Sequence, residues 1–146
     1  MNGTLRERAL RLLARREHAR AELARKLAPH AASPDELAAL LDELTARDLL
    51  SDERYVEARL RARGARLGNA RLAYELRTQG VCEELVDAAL AASEDEFLRA
   101  QRVWRRKFGD KAADATERAR QMRFLLGRGF SGETIRRVVR GDFEDD

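Results

Sequence analysis

The sequence predicts an all-α protein of three tandem three-helix repeats forming an elongated array, whether curved or straight. The first observation is composition: the 146 residues are 44% hydrophobic and 38% charged but only 5% aromatic, with nine glycines and two prolines, as is typical of helices. The second is a repeat, because Ser33, Cys82 and Ser131 stand 49 residues apart and the same apolar pattern follows each of them. This period, without a strand pattern, indicates helical units that bury their faces against their neighbours.

Each repeat is predicted to contain three short helices. Apolar residues at helical spacing mark the first helix of each repeat: Leu5, Ala9, Leu12 and Leu13; then Tyr55, Val56 and Leu60; then Phe97, Val103, Trp104 and Phe108. In the later two repeats the second helix is predicted to end at Gly80 and Gly129, because glycine adopts the left-handed turn that closes a helix. The predicted repeats are 1–50, 51–92 and 93–141, followed by an acidic tail at 142–146.

Several helix starts carry recognisable signals. Ser33-Pro34-Asp35-Glu36 combines a serine cap with proline at the first helical position, and Ser93-Glu94-Asp95-Glu96 has the spacing of a capping box. Cys82 takes the helix-start position that serines hold in the other repeats, which indicates a structural residue rather than a reactive thiol. A single cysteine allows no internal disulfide, so we expect a reduced, cytoplasmic environment. We also expect a monomer. We expect no membrane partner, since no stretch approaches the roughly 20 apolar residues of a membrane helix.

No constellation of residues predicts catalysis, so the chain is interpreted as a non-enzyme without cofactor or metal. His18 and His30 have no Cys or His companions at zinc-ligand spacing. The carboxylates fall at helix starts such as Asp52-Glu53, where the helix dipole favours them. Residues 127–132 match the pattern GxGxxG, but a dinucleotide site needs that pattern between a strand and a helix, and here a helix is predicted to precede it.

Basic residues concentrate in three blocks. Residues 1–30 carry 8 basic and 3 acidic side chains, 61–80 carry 5 and 1, and 99–128 carry 10 and 3, within a formal net charge of +3. Such blocks attract polyanions or acidic protein surfaces, although arginine runs also form ordinary solvated helix faces. The candidate binding residues, expected to line one side of the array, are the cations assigned to the second helices: Arg16, Arg20, Arg25, Lys26, Arg66, Arg71, Arg77, Arg118, Arg120, Arg123 and Arg128.

Four stretches along the chain form a combined pattern that is more specific than any one of them. They are 9–18 with 21–27 (ALRLLARREH and AELARKL), 51–55 (SDERY), 68–81 (Gly68, Arg71-Leu72, Glu75-Leu76 and Gly80-Val81) and 124–131 (FLLGRGFS). In this combination the chain resembles the RecX family, regulators of the bacterial recombinase RecA. One departure is Ala19, where the family usually carries a serine that caps the second helix, a cap worth about 1 kcal/mol.

The resemblance implies three tandem three-helix repeats and a role without catalysis. Members of this family bind the RecA–DNA filament in its helical groove and hinder its extension or promote its disassembly. The resemblance therefore implies suppression of ATP hydrolysis and strand exchange, with the RecA filament and the phosphates of single- or double-stranded DNA as partners. The alternatives are a stand-alone DNA-binding helical protein and a scaffold for a different acidic partner.

Overall fold

The computed structural model describes residues 3–141, and within this range the chain forms nine α-helices and no strand. The helices are α1 (Leu5–Arg15), α2 (Arg20–Leu27), α3 (Pro34–Ala46), α4 (Asp52–Arg63), α5 (Asn69–Thr78), α6 (Glu83–Ala92), α7 (Glu96–Lys107), α8 (Ala115–Gly127) and α9 (Gly132–Arg140). Short 3₁₀ turns follow α2 at Ala28–His30 and α4 at Gly64–Arg66. The prediction of an all-α chain of three three-helix groups is confirmed, and the predicted acidic tail at 142–146 lies outside the described residues.

The helices pack into two compact units that do not coincide with single repeats. The first unit comprises Met1–Arg59 and Leu76–Val86, and the second comprises Leu60–Glu75 and Asp87–Asp146. The division falls inside α4, α5 and α6, so the middle repeat contributes residues to both units.

The core of the first unit is aliphatic. It is formed by Ala9, Leu23, Leu27, Leu40, Leu41, Leu44 and Leu50. Each buried leucine contributes about 1.5–3 kcal/mol, so burial of this cluster stabilises the unit. The start of α3 follows the prediction, because the Ser33 hydroxyl accepts the Glu36 N–H at 3.1 Å. At the start of α2 no side chain of Ala19 caps the helix, and its backbone N–H donates instead to Glu22 Oε1 at 3.2 Å.

The core of the second unit is richer in aromatic residues. It is formed by Phe97, Ala100, Trp104, Leu125, Phe130, Ile135, Val138 and Val139. Trp104 is 3% exposed, as a core residue should be, and its indole N–H donates to Gln121 Oε1 at 2.9 Å. The capping box predicted at Ser93 is wrong: the Ser93 hydroxyl donates to the Ala89 carbonyl, and α7 begins later, at Glu96. The serine hydroxyl serves the end of α6 because α7 starts beyond its reach.

The glycines that end α5 and α8 mark close contacts between successive repeats. Both have left-handed backbone, φ +85° at Gly80 and +88° at Gly129, as predicted. A Cβ on Gly80 would lie 2.5 Å from the Cβ of Ala21, and a Cβ on Gly129 would lie 2.2 Å from the Cβ of Arg71. Ala21 and Arg71 both lie in the first turn of a second helix, so each unit contains the same contact. Only glycine fits both the dihedral angle and the space.

Carboxylates connect successive repeats at the same helix starts. In the first unit the Arg20 N–H donates to Asp52 Oδ1 at 2.7 Å, and in the second the Asn69 N–H donates to Glu96 Oε2 at 2.8 Å. Both acceptors are the first residues of a following helix, α4 or α7, and each satisfies an N–H that a helix start leaves open. Glu96 also accepts the Thr134 hydroxyl at 2.8 Å. The second helices of the first two repeats, α2 and α5, are therefore each capped in part by the repeat that follows.

Candidate anion-binding surface

Around α2, three predicted cations are held by carboxylates of the first unit. Arg16 Nη2 lies 2.5 Å from Glu22 Oε2, Lys26 Nζ lies 3.6 Å from the same oxygen, and Arg20 Nη2 lies 2.7 Å from Asp42 Oδ1. Arg16 is the C-cap of α1, so its predicted place on a second helix is wrong. The loop between the end of α1 at Arg15 and the start of α2 at Arg20 is longer than the spacing of the apolar residues predicted. These ion pairs neutralise much of the positive charge that was predicted to bind a ligand.

Two further predicted cations of the first unit also have internal partners. Arg25 Nη2 donates to Gln79 Oε1 at 2.5 Å, and Arg77 Nη2 lies 2.6 Å from Glu83 Oε1. The hydrogen bonds from Arg77 hold the pKa of Glu83 below its ordinary value. Both cations are exposed, so a polyanion can reach them only in competition with these partners.

A buried histidine organises the charges at the start of α2. His18 is 2% exposed, its Nδ1 lies 3.1 Å from the Arg16 carbonyl, and its Nε2 lies 3.1 Å from Lys26 Nζ. Because Lys26 is a donor, Nε2 accepts and Nδ1–H donates, which describes a neutral ring. Burial lowers the pKa of His18 below its ordinary value of 6.5. Burial alone would raise the pKa of Glu22, but the hydrogen bond and charge of Arg16 hold it below its ordinary value.

We expect the protein to lose stability as the pH falls from 7.5 to 5.5, because of His18. The unfolded chain takes up a proton near pH 6.5, whereas the folded chain keeps the ring neutral to lower pH, so the unfolded state binds more protons. Glu22 acts in the same direction only below about pH 4.5, its unfolded value. The measurement is the free energy of unfolding in urea at the two pH values. H18Q should abolish the loss and H30Q should retain it; an equal loss in H18Q would contradict the assignment.

A basic groove in the first unit contains cations that sequence reasoning missed. It has a volume of about 260 Å³ and is lined by Arg8, Arg11, Leu12, Arg15, Lys26, Leu27 and His30. Of these, only Lys26 was a candidate. Arg8, Arg11 and Arg15 share one face of α1, at spacings of three and four. This spacing is the signal available in the sequence, but these arginines lie on a first helix, and the recurrence of cations was predicted for the second helices alone.

The second unit gathers three of the predicted cations into one place, which we call the arginine cleft. The cleft has a volume of about 290 Å³ and is lined by Arg63, Arg66, Leu67, Arg71, Gly127 and Arg128. Arg66 lies in the 3₁₀ turn before α5, so its predicted place on the second helix is also wrong. Arg63, in the last turn of α4, was not predicted.

One carboxylate orients two of the four arginines. Arg63 binds Glu75 in a bidentate manner, with Nε to Oε1 at 2.8 Å and Nη2 to Oε2 at 2.9 Å, and Arg71 Nε reaches Oε2 at 3.3 Å. Arg128 lies over the Phe124 ring, 4.9 Å from its centroid. Four guanidinium groups against one carboxylate leave three net positive charges around the cleft. Such a fork of planar donors matches phosphate or carboxylate oxygens.

Backbone hydrogen bonds hold the two walls of the arginine cleft together. The Gly68 N–H donates to the Arg128 carbonyl at 2.8 Å, and the Ala70 N–H donates to the Gly129 carbonyl at 3.2 Å. These bonds join the turn after α8 to the start of α5. Arginines that are distant in sequence are therefore brought together by rigid backbone rather than by flexible side chains.

The remaining predicted cations, all on α8, do not line the arginine cleft. Arg118 lines a separate groove beside α9. Arg120 Nε lies 2.9 Å from Glu117 Oε2, and its guanidinium lies 5.2 Å from the Phe108 ring centroid. Arg123 is exposed and forms no ion pair with any described residue. The single strip of all eleven cations stays a prediction.

Arg99 shows that a basic residue in a positive block can be structural. It is 3% exposed, and it donates to the carbonyls of Leu67 and Glu94 and to Asn69 Oδ1. Burial lowers the pKa of its guanidinium, against the opposing charge of neighbouring carboxylates that include Glu96. Arg99 thereby fixes the turn before α5, next to the arginine cleft.

Residues 3–141 contain neither a cluster of metal-ligating side chains nor a membrane-spanning helix. No three His, Cys, Asp or Glu side chains come together there in a group that could hold a metal ion. None of the helices in this part of the chain is long and apolar enough to span a bilayer.

Comparisons with known proteins agree on one family. Its three models match in tandem: the first three-helix domain of RecX at residues 6–44, the second at 51–90 and the third at 94–139. Regulatory protein RecX of Leptothrix cholodnii is 50% identical over 145 residues, covering 98% of this chain and 92% of that protein. Its counterpart in Chromobacterium violaceum is 46% identical over 143 residues, covering 98% and 93%. The crystal structure of RecX from Lactobacillus salivarius has a TM-score of 0.79 at 19% identity, covers 93% of this chain and 92% of that one, and supports the fold.

The fold, together with these relatives, defines a regulatory protein built from tandem three-helix domains. The chain belongs to the RecX family. The resemblance inferred from the sequence pattern is thus confirmed.

Proposed function

We propose that this protein binds the RecA–DNA filament and inhibits its extension, ATP hydrolysis and strand exchange, without catalysis of its own. The observation that carries the proposal is the arginine cleft, in a chain that belongs to the RecX family. The repeats 1–50, 51–92 and 93–141 act as successive binding modules in this proposal, and the active form is a cytoplasmic monomer.

The chemistry of the cleft favours an anionic, repeating partner. Arg66 and Arg128 face the cleft together with two arginines whose geometry Glu75 already fixes. A filament presents regularly spaced phosphates and acidic side chains, and a preordered guanidinium cluster binds such groups with little further loss of side-chain entropy. Because exposed charges are screened by salt, binding is expected to weaken as ionic strength rises.

The test is DNA-dependent ATP hydrolysis by RecA during a titration with this protein. We expect inhibition at ratios far below one protein per RecA subunit, together with shorter filaments in electron micrographs. Because bare DNA also carries phosphates, its binding is measured under the same conditions. Inhibition that begins only when the protein saturates bare DNA would favour a stand-alone DNA-binding protein, and no inhibition at any ratio would reject the proposal.

A further inference from the structure

The two most exposed large apolar side chains of residues 3–141 border the arginine cleft in the sequence. Tyr74 on α5 is 65% exposed, and Leu126 on α8 is 64% exposed. Tyr74 lies three residues after Arg71, which lines the cleft, and Leu126 directly precedes Gly127, which lines it as well. All four residues belong to the second unit. The cleft therefore combines guanidinium groups with apolar surface that is open to solvent.

Tyr74 lies on the outward face of α5, next to Arg71. Residues three apart on a helix are neighbours, with Cβ atoms about 5–6 Å apart. Leu72 and Ala73, which are 1% and 4% exposed, form the inward face between them. Because tyrosine has only two side-chain torsions and its backbone here is part of a packed helix, binding at this ring costs little conformational entropy.

A basic cleft with an exposed aromatic ring beside it matches the two parts of a nucleotide. The guanidinium groups of Arg66 and Arg128 suit phosphate oxygens, and the face of a tyrosine ring stacks on a base. In a duplex the bases are paired and stacked on each other, so a tyrosine on the protein surface reaches only the bases of a single strand. The arrangement therefore favours single-stranded over double-stranded nucleic acid.

The density of charge favours nucleic acid over an acidic protein segment. Four arginines and one carboxylate, Glu75, leave three net positive charges around a cleft of about 290 Å³. A nucleic-acid strand carries one negative charge on every nucleotide, with a flat base beside each. Arginine is also the side chain whose planar donors fit phosphate groups best.

We propose that Tyr74 stacks on a base of single-stranded DNA while a neighbouring phosphate binds in the arginine cleft. The inference rests on the cleft of the proposed function and adds to it a stacking contact that duplex DNA does not make. Because every base has a π face, this contact distinguishes single strands from duplexes but not one sequence from another.

The first experiment compares single-stranded with duplex DNA in the absence of RecA. The full-length protein is titrated against a labelled oligothymidylate and against a labelled duplex of equal length, and fluorescence anisotropy measures the affinity. Tyr74→Ala should weaken single-strand binding by about fivefold or more and leave duplex binding unchanged. Tyr74→Phe keeps the ring and should bind both DNAs as the unaltered protein does.

A matched control tests whether any exposed apolar side chain would have the same effect. Leu98 lies on α7, is 47% exposed and does not line the arginine cleft. Leu98→Ala should change neither affinity. Circular dichroism checks that each variant is folded, as expected for substitutions at exposed positions.

The second experiment detects the stacking contact directly. Tyr74→Trp places an indole at the proposed contact, and stacking on a base quenches indole fluorescence. Oligothymidylate should quench this fluorescence, whereas inorganic phosphate, which lacks a base, should not. The unaltered protein, titrated in parallel, gives the contribution of Trp104, which is 3% exposed.

Three results would overturn the proposal. The first is single-strand binding that is undetectable in the unaltered protein or unchanged in Tyr74→Ala, and the second is the absence of quenching in Tyr74→Trp. The third is equal weakening of single-strand and duplex binding, or normal DNA binding with weaker inhibition of RecA, since the ring would then support the cleft or contact a protein. RecA is absent from both binding experiments, so a failure to inhibit RecA would leave the stacking contact standing.

Discussion

Replacing Gly68 by alanine should cost about 3 kcal/mol or more of stability, enough to unfold the second unit in part or completely. A Cβ at this position would lie 2.2 Å from the carbonyl oxygen of Gly129, 2.3 Å from its carbonyl carbon and 2.4 Å from the amide nitrogen of Phe130. All three are backbone atoms, and the Gly68 N–H is itself bonded to the Arg128 carbonyl. A side-chain rearrangement cannot relieve the overlap, so the two segments would have to separate.

Gly129→Ala tests the same contact from the other side, and Gly127→Ala provides a matched control. Gly129 has the additional cost of its left-handed backbone. A Cβ on Gly127 meets nothing within 4 Å, so alanine there should be neutral or stabilise the helix by up to about 1 kcal/mol. Urea unfolding followed by circular dichroism measures all three variants. The explanation fails if Gly68→Ala unfolds at the same urea concentration as Gly127→Ala.

The second large effect is expected from reversing charge in the arginine cleft. In R66E/R128E two carboxylates would replace guanidinium groups that face the cleft, and Glu75 would add a third. Each unfavourable anion–anion contact costs about 1 kcal/mol or more, so we expect inhibition of RecA to weaken by at least about tenfold. Arg63 and Arg71 are left unchanged because their removal would also free Glu75.

A control with equal charge distinguishes the cleft from the net charge of the protein. R61E/R106E reverses two exposed arginines of the second unit that do not line the cleft. The measured quantity is the concentration needed to halve ATP hydrolysis by RecA, with circular dichroism confirming that each variant is folded. Equal weakening in the two double variants would show that the cleft has no special role.

The helices and their ends could be predicted because their signals are local. The 49-residue period predicted Gly80 and Gly129 as helix ends, and the apolar pattern predicted Trp104 as core. The capping box at Ser93 was predicted wrongly because local spacing does not show that α7 begins only at Glu96, which leaves the Ser93 hydroxyl bonded to the Ala89 carbonyl at the end of α6.

The binding surface was less predictable because it depends on how cations are paired. Arg63 and Arg71 are joined by Glu75, and Arg77 is neutralised by Glu83, whereas Arg118 has no such partner among the described residues. Charge counts treat these arginines alike. Only the packing of α4, α5 and the turn after α8 shows which of them meet in a cleft.

The contacts made by Gly80 and Gly129 also affect folding during synthesis. The first turn of α2 packs at Ala21 against Gly80, and the first turn of α5 packs at Arg71 against Gly129. In each case the glycine lies about sixty positions later in the chain. A ribosome that has just released one repeat therefore exposes a helix start whose covering contact has not yet been translated. We therefore expect the first and second repeats to become fully native only after roughly one further repeat has been made, so that folding proceeds from the N-terminus.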